Sequence, residues 1–270
     1  MLIGVSTFDG HSYCRPQFVE ALKRISKDAD VLIVYNGRDS WGFDDFRVIE
    51  YPIGSDSRGV DIMRKKQNII RDECLKGGYS HLLMLESDNI PPDNVVEDLL
   101  KHGKDIVTGF YFLKIIQEKS IVPSDESKAL IKEKVGVSCD VCMVVRQSCC
   151  PSIMSYFRGE IFETDNAVRM WTMDDWVEAK QKGYNLVPIF AAGVGCMLVT
   201  REVLEKVKFN GGGKGYEAHL TDVVFYKEAS DAGFMAFCDL DCIVDHLHIQ
   251  QMENNMKKWF DPKTLTNIED

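Results

Sequence analysis

Residues 81–92 read HLLMLESDNIPP. Four apolar residues, Leu82 to Leu85, run straight into Glu86, Ser87, Asp88 and Asn89, and two prolines follow. A short apolar run bounded by polar and turn residues reads as a buried strand of a parallel sheet. This one ends in two acids. A carboxylate at the edge of a core is costly to desolvate unless it is paired, hydrogen-bonded or bound to a metal.

The flanking sequence repeats the pattern. Met1 to Ser6 reads as a first strand, and Arg15 to Ile25 carries Phe18, Val19, Leu22 and Ile25 at helical spacing behind Pro16. VLIVYNG, Val31 to Gly37, is a second buried strand with its exit turn, and FRVIEYP a shorter strand. Asp61 to Lys76 reads as a helix stopped by Gly77 and Gly78. After the 81–92 stretch come a helix, NVVEDLLKHG, and a strand, DIVTGFYF. Strands alternating with helices predict an α/β fold with an open, mostly parallel sheet flanked by helices. In such sheets ligands sit beyond the carboxyl ends of the strands, where Asn36 and the Glu86-Ser87-Asp88 turn fall.

Residues 113–187 are predicted to be an irregular insert on the acceptor side, with one short helix in MDDWVEAKQKG. LVPIFAAGVGCMLVTREVLEKV reads as strand, glycine turn, strand and helix. A helix then runs from about Thr221 to Ala232, and MAFCDLDCIVDHLH is a strand ending in His246 and His248. One domain is expected over 1–249, with 1–112 and 188–249 as its two halves and 250–270 as a polar tail.

The chain has 270 residues, 45% of them hydrophobic, and a formal net charge of −10. It is long enough for one large core. The acidic balance argues against a nucleic-acid binder, and an anionic substrate would need a local device such as a divalent cation. No apolar run approaches membrane-spanning length and no signal peptide opens the chain, so a cytoplasmic location is expected. Nine cysteines, most in apolar contexts, read as free thiols in a reducing compartment. Cys139-x-x-Cys142 with Cys149-Cys150 raises zinc, but adjacent cysteines suit tetrahedral chelation poorly, and the segment reads equally well as a strand.

Four stretches in order resemble a GT-A type, family-2-like glycosyltransferase, in the small single-domain form common in phage and microbial genomes. Residues 64–112 look like its Arg-x-x-x-Asn helix, apolar strand and Asp-x-Asp turn. AAGVGCMLVTREVLEKV looks like its Gly-x-Gly strand, TDVVFYKEASDAGF like its Glu-Asp base helix, and CDLDCIVDH like its final strand with a metal-ligand histidine. The resemblance covers residues 1 to about 249 except the middle segment.

The resemblance implies a metal-dependent enzyme moving a hexosyl or N-acetylhexosaminyl group with inversion at the anomeric centre. The donor would be a nucleotide-diphosphate sugar, UDP-sugars favoured, and the acceptor a glycan, lipid-linked or protein hydroxyl. Asp88 and His246 would hold Mn2+ or Mg2+, with Glu86 beside the ribose or assisting the metal. Hard cations take carboxylate oxygens, so the chemistry agrees. The family has Asp where Glu86 stands. Asp222 would be the catalytic base, although Thr221 replaces the family's Glu. Ser6, Thr7, Phe8, Asn36, Asp39, Arg64, Asn68 and Ser87 would line the donor, and Gly193 and Gly195 the acceptor floor. Each has a plainer alternative. Asp88 or Asn89 could cap the next helix, and Thr221-Asp222 is an ordinary helix start. Asn36 and Asp39 could form a surface turn, and Arg64 could pair with Asp61 or Asp72. Lys65 and Lys66 are expected in solvent. NGGGKGYEAH, 210–219, is expected to be a lid over the donor. The Thr221 departure keeps open a nucleotide-sugar-binding protein without transfer activity. A nucleotidyltransferase ranks lower, because STFDGHSYCRP lacks the glycine-rich basic loop such enzymes carry after strand one.

Overall fold

The computed structural model describes residues 1–38, 42–52, 59–121, 142–151, 153–157, 167–171, 173–210 and 221–247. The first half runs β1 (Leu2–Phe8), α1 (Arg15–Ile25), β2 (Asp30–Asn36), β3 (Arg47–Glu50), α2 (Gly59–Lys76), β4 (His81–Glu86), β5 (Asn89–Ile90), α3 (Val95–Leu100) and β6 (Ile106–Phe110). The second half runs β7 (Phe112–Ile121), β8 (Cys142–Pro151), β9 (Ile153–Phe157), β10 (Ala167–Met170), α4 (Met173–Gln181), β11 (Leu186–Ile189) and β12 (Ala191–Ala192). It closes with β13 (Cys196–Thr200), α5 (Arg201–Lys206), α6 (Thr221–Asp231), β14 (Ala236–Ile243) and β15 (Asp245–His246).

Eight strands form the main sheet in the order β11-β14-β6-β13-β4-β1-β2-β3. β1 to β4 are parallel, and β6 and β14 are parallel to each other. β13 runs antiparallel between β4 and β6, and β11 is antiparallel to β14. The expected open, mostly parallel α/β sheet is therefore present, with β13 as the reversed strand that joins its halves.

The apolar run that opened the sequence explains the two-sided core. Side chains alternate across a strand. Leu82 and Met84 pack on one face with Ile70 and Cys74 of α2 and Phe225 of α6, while Leu83 and Leu85 pack on the other with Phe18 and Leu22 of α1 and Leu99 of α3. Burying each Leu or Ile stabilises the fold by about 1.5–3 kcal/mol. A strand covered on both faces must be apolar throughout, which is why it reads as a continuous run.

The middle segment is more regular than its sequence suggests. β7 and β8 pair antiparallel from Phe112↔Pro151 to Ile121↔Cys142, and β9 lies between β10 and β12 in a small sheet. Apolar and charged residues alternate only loosely in FLKIIQEKSI and CMVVRQSCCP, so the period that marks a strand is weak there. The zinc reading involves Cys139, which lies outside the described residues, as do Asp39, His248, the tail from 248 onward and nearly all of the 210–219 loop. No described helix is long and apolar enough to cross a membrane.

Candidate active site

Four chain segments meet at one edge of the sheet. β1, β2 and β4 end there at Phe8, Asn36 and Glu86. β13 enters there at Cys196, directly after Gly193-Val-Gly195, and the amide of Glu86 donates to the Gly195 carbonyl (3.1 Å). Asp222 stands in the first turn of α6. Its charge acts on the Glu86 carboxyl.

Asp88 does not cap a helix. α3 begins at Val95 with Asn94 before it. The Asp88 carboxylate instead turns inward, with Oδ2 3.4 Å from His246 Nε2 and 3.7 Å from His11 Nε2. A small antiparallel clip sets this up: β5 pairs with β15 so that Asn89 faces His246, and the Leu247 amide donates to the Asp88 carbonyl (2.7 Å). Burial alone would raise the Asp88 carboxyl. The hydrogen bond to His246 and the fields of His11 and His246 outweigh it and hold the group below the usual aspartate range.

His11 was not singled out by the sequence. It sits in the short turn after β1, with Nδ1 2.8 Å from Ser87 Oγ, which in turn is 2.6 Å from Thr7 Oγ1. Lys66 is the second such residue and corrects the expectation of a solvated lysine. It is 3% exposed, and its Nζ donates to the Thr7 carbonyl (2.8 Å) and to Asn36 Oδ1 (2.6 Å). Burial lowers its pKa to about 8, while nearby Glu86 opposes the shift. The signal was available: Lys66, Ile70 and Cys74 are one turn apart, and all three are buried.

Glu86 lies between Lys66, Asp88 and Asp222. Burial first, then the charges of Asp88 and Asp222, push its carboxyl to about 8, with Lys66 pulling the other way. Burial also raises Asp222, partly offset by the Val223 amide donating to its Oδ1 (2.9 Å). Ser6 and Thr7 are buried at the end of β1, with Ser6 beside Glu86 in register. Phe8 presents its ring to solvent at 42% exposure, with Lys66 Nζ 5.9 Å from the ring centre and the His11 ring 4.5 Å away.

Two residues expected at the donor make contacts within the protein. Asn68 clamps the chain after α5: its Nδ2 donates to the Phe209 carbonyl (2.7 Å) and its Oδ1 accepts from the Phe209 amide (3.1 Å). Arg64 pairs with Asp61 (3.1 Å), one of the partners open in the sequence. Gly193 and Gly195 are close-packed by the protein's own side chains. A Cβ on Gly193 would overlap the Tyr111 hydroxyl, and one on Gly195 would lie 2.5 Å from Asn89 Nδ2 and 3.2 Å from the Tyr111 hydroxyl.

A divalent cation fits this donor set in part. The 3.4 Å between Asp88 Oδ2 and His246 Nε2 is near the separation of about 3 Å expected of adjacent ligands on one small cation. Among the described residues no three His, Cys, Asp or Glu side chains are grouped to hold a metal on their own. A metal here would therefore take two protein donors and complete its shell from substrate and water.

No protein-family model matches this sequence, and no curated protein matches it. Solved structures do. A197 from STIV is 14% identical, with 88% of this chain matching 80% of that one at a TM-score of 0.42. S. aureus TarS 1–349 in complex with UDP-GlcNAc is 12% identical over 90% of this chain and 56% of that one, at a TM-score of 0.46. A putative nucleotide-diphospho-sugar transferase from Desulfovibrio desulfuricans G20 is 14% identical over 41% of this chain and 58% of that one, at a TM-score of 0.31. At these identities and scores, function is read from this chain's own residues.

Proposed function

We propose that this chain is a metal-dependent glycosyltransferase that moves one sugar from a nucleotide-diphosphate donor to a hydroxyl acceptor with inversion. The observation that carries the reading is the pairing of the strand-end Asp88 with His246, beside the two half-buried acids Glu86 and Asp222. Asp88 and His246 would hold Mn2+ or Mg2+. A bound divalent cation supplies neutralisation of the donor diphosphate. Glu86, with its carboxyl pushed to about 8, keeps its proton at neutral pH and suits a hydrogen bond to a ribose hydroxyl better than a ligand bond.

Asp222 is the base in this reading. The acceptor hydroxyl oxygen attacks the anomeric carbon and its proton passes to the Asp222 carboxylate. The bond from that carbon to the diphosphate oxygen breaks, and the diphosphate leaves with the electron pair. Burial brings the Asp222 pKa up towards the working range, where a base is most effective. Phe8 offers an exposed ring face for the nucleotide base, and Ser6 and Thr7 line the same strand end.

A thermal-shift panel on the full chain tests this. UDP, GDP, CDP, dTDP and their common sugars are each run with and without Mn2+. A ligand at a hundred times its Kd stabilises the native state by about 2.7 kcal/mol. One base should stabilise the protein only with metal, and Asp88→Asn should abolish the shift. If no nucleotide shifts the melting temperature, the glycosyltransferase reading is abandoned. Asp222→Asn should keep the shift and lose transfer by about 100- to 10,000-fold. If it keeps both the shift and the parent's turnover, Asp222 is an ordinary helix start and another group takes the proton; a parent that binds nucleotide but turns nothing over is a binding protein.

A further inference from the structure

The Gly193-Val-Gly195 turn is filled from inside the protein, and what fills it leads to the metal-side histidine. Tyr111 is 3% exposed, directly follows β6, and stacks its ring on the His246 imidazole at 5.5 Å between centroids and 25° between planes. Its hydroxyl lies where a Cβ on Gly193 would stand, and Gly195 also abuts it. The second occupant is Asn89, fully buried, with its amide against Gly195 and its Nδ2 3.2 Å from Asp88 Oδ1. Asn89 is also the residue that pairs with His246 across the β5–β15 clip. Both fillers therefore touch His246 or its clip on one side and the glycine turn on the other.

We infer that Tyr111 is a positioning residue that, seated in the Gly193-Gly195 socket, fixes the His246 imidazole against Asp88. Side chains in these two glycine positions would drive Tyr111 and Asn89 away from the turn and carry His246 with them. The flat ring of Tyr111 restricts rotation of the imidazole, and this leaves Nε2 directed at the carboxylate. Residues of this kind, one step behind a metal ligand, set its orientation, and their loss typically weakens metal binding by about 10- to 100-fold. The inference rests on the metal reading above for that affinity, but not for the orientation of the ring itself.

The test uses the full chain with isotope-labelled histidine, and the His246 ring resonances are assigned by their loss in His246→Asn. Stacking on an aromatic ring displaces those resonances upfield. Tyr111→Phe keeps the ring and should retain both the displacement and the Mn2+ affinity within about threefold. Tyr111→Leu should abolish the displacement and weaken Mn2+ binding, measured with the metal alone by electron paramagnetic resonance, by about 10- to 100-fold. Gly193→Ala pushes on the Tyr111 hydroxyl while leaving Tyr111, His246 and Asp88 unsubstituted, so it should move the His246 resonance, and it carries the test should Tyr111→Leu not fold. Unmoved His246 resonances in folded Tyr111→Leu or Gly193→Ala overturn the inference. If the parent protein binds no Mn2+, the metal reading fails by itself, while the resonances still decide the orienting role of Tyr111.

Discussion

At the scale of the residue, the least expected group is Lys66. A lysine is rarely buried unless its ammonium is satisfied, and here it is held by Thr7 and Asn36 from two different strand ends. It ties the end of β1 to the end of β2 beside the proposed donor site. Lys66→Met keeps the length of the side chain and removes the donor. The Thr7 carbonyl and the Asn36 amide oxygen are then left with one partner fewer inside the protein. Leaving a buried acceptor unpaired costs about 1–3 kcal/mol. Urea unfolding of Lys66→Met should show a loss of that order. An unchanged midpoint would mean that removing a buried charge compensates for the lost bonds, and that Lys66 is kept for its charge alone.

At the scale of the element, α2 separates two kinds of polar residue that look alike in sequence. Asn68 makes both halves of a backbone clamp on Phe209, while Arg64 makes an i,i+3 pair with Asp61 on the same helix. Asn68→Ala strips the Phe209 amide and carbonyl of their partner, so a loss of about 1–3 kcal/mol is expected. Arg64→Ala removes a partly exposed pair worth about 0–1 kcal/mol. Equal losses in urea unfolding would contradict this ordering, and loss of nucleotide binding in Arg64→Ala would support the expected donor role of Arg64. The contrast shows what a sequence can carry. The strands of the first half and the Asp88 turn were legible because a two-sided core forces continuous apolar runs, and because acids at strand ends are costly. Helical spacing put Arg64 and Asn68 on one face, but not what that face meets, because Phe209 is 141 residues further on. His11 and Tyr111 were not legible for the same reason: each matters through a contact with a distant residue, Ser87 or His246. In the middle segment the cysteine stretch of β8 was open to a strand reading, while β7, β9 and β10 were missed because their alternation is weak.

At the scale of the whole molecule, the site leaves its mark on stability through pH. Among the described acids, Glu86 and Asp222 are shifted upward by burial, while Asp88 and Asp239 are held down by histidine partners. The two classes act in separate windows. A carboxyl with a depressed folded pKa stabilises above its unfolded value and loses that contribution as pH falls through the folded one, so Asp88 and Asp239 act below about pH 4. A carboxyl with a raised folded pKa does the reverse. Glu86 is protonated in the native state up to about 8 but ionises in the unfolded chain above about 4.3. Its contribution is full at acid pH and disappears as pH rises towards 8. Lys66, lowered to about 8, adds no slope below that value because it is protonated in both states there. Between pH 5 and pH 8 the melting temperature of the metal-free protein should therefore fall as pH rises. Glu86→Gln keeps the shape and abolishes the titration, so its profile should be flatter and should cross above the parent near neutrality. A parent and variant with parallel profiles would show that Glu86 ionises in the native state as it does in solvent. The surroundings of Glu86 would then be no barrier to its charge, and its role as a protonated donor to a ribose hydroxyl would fall.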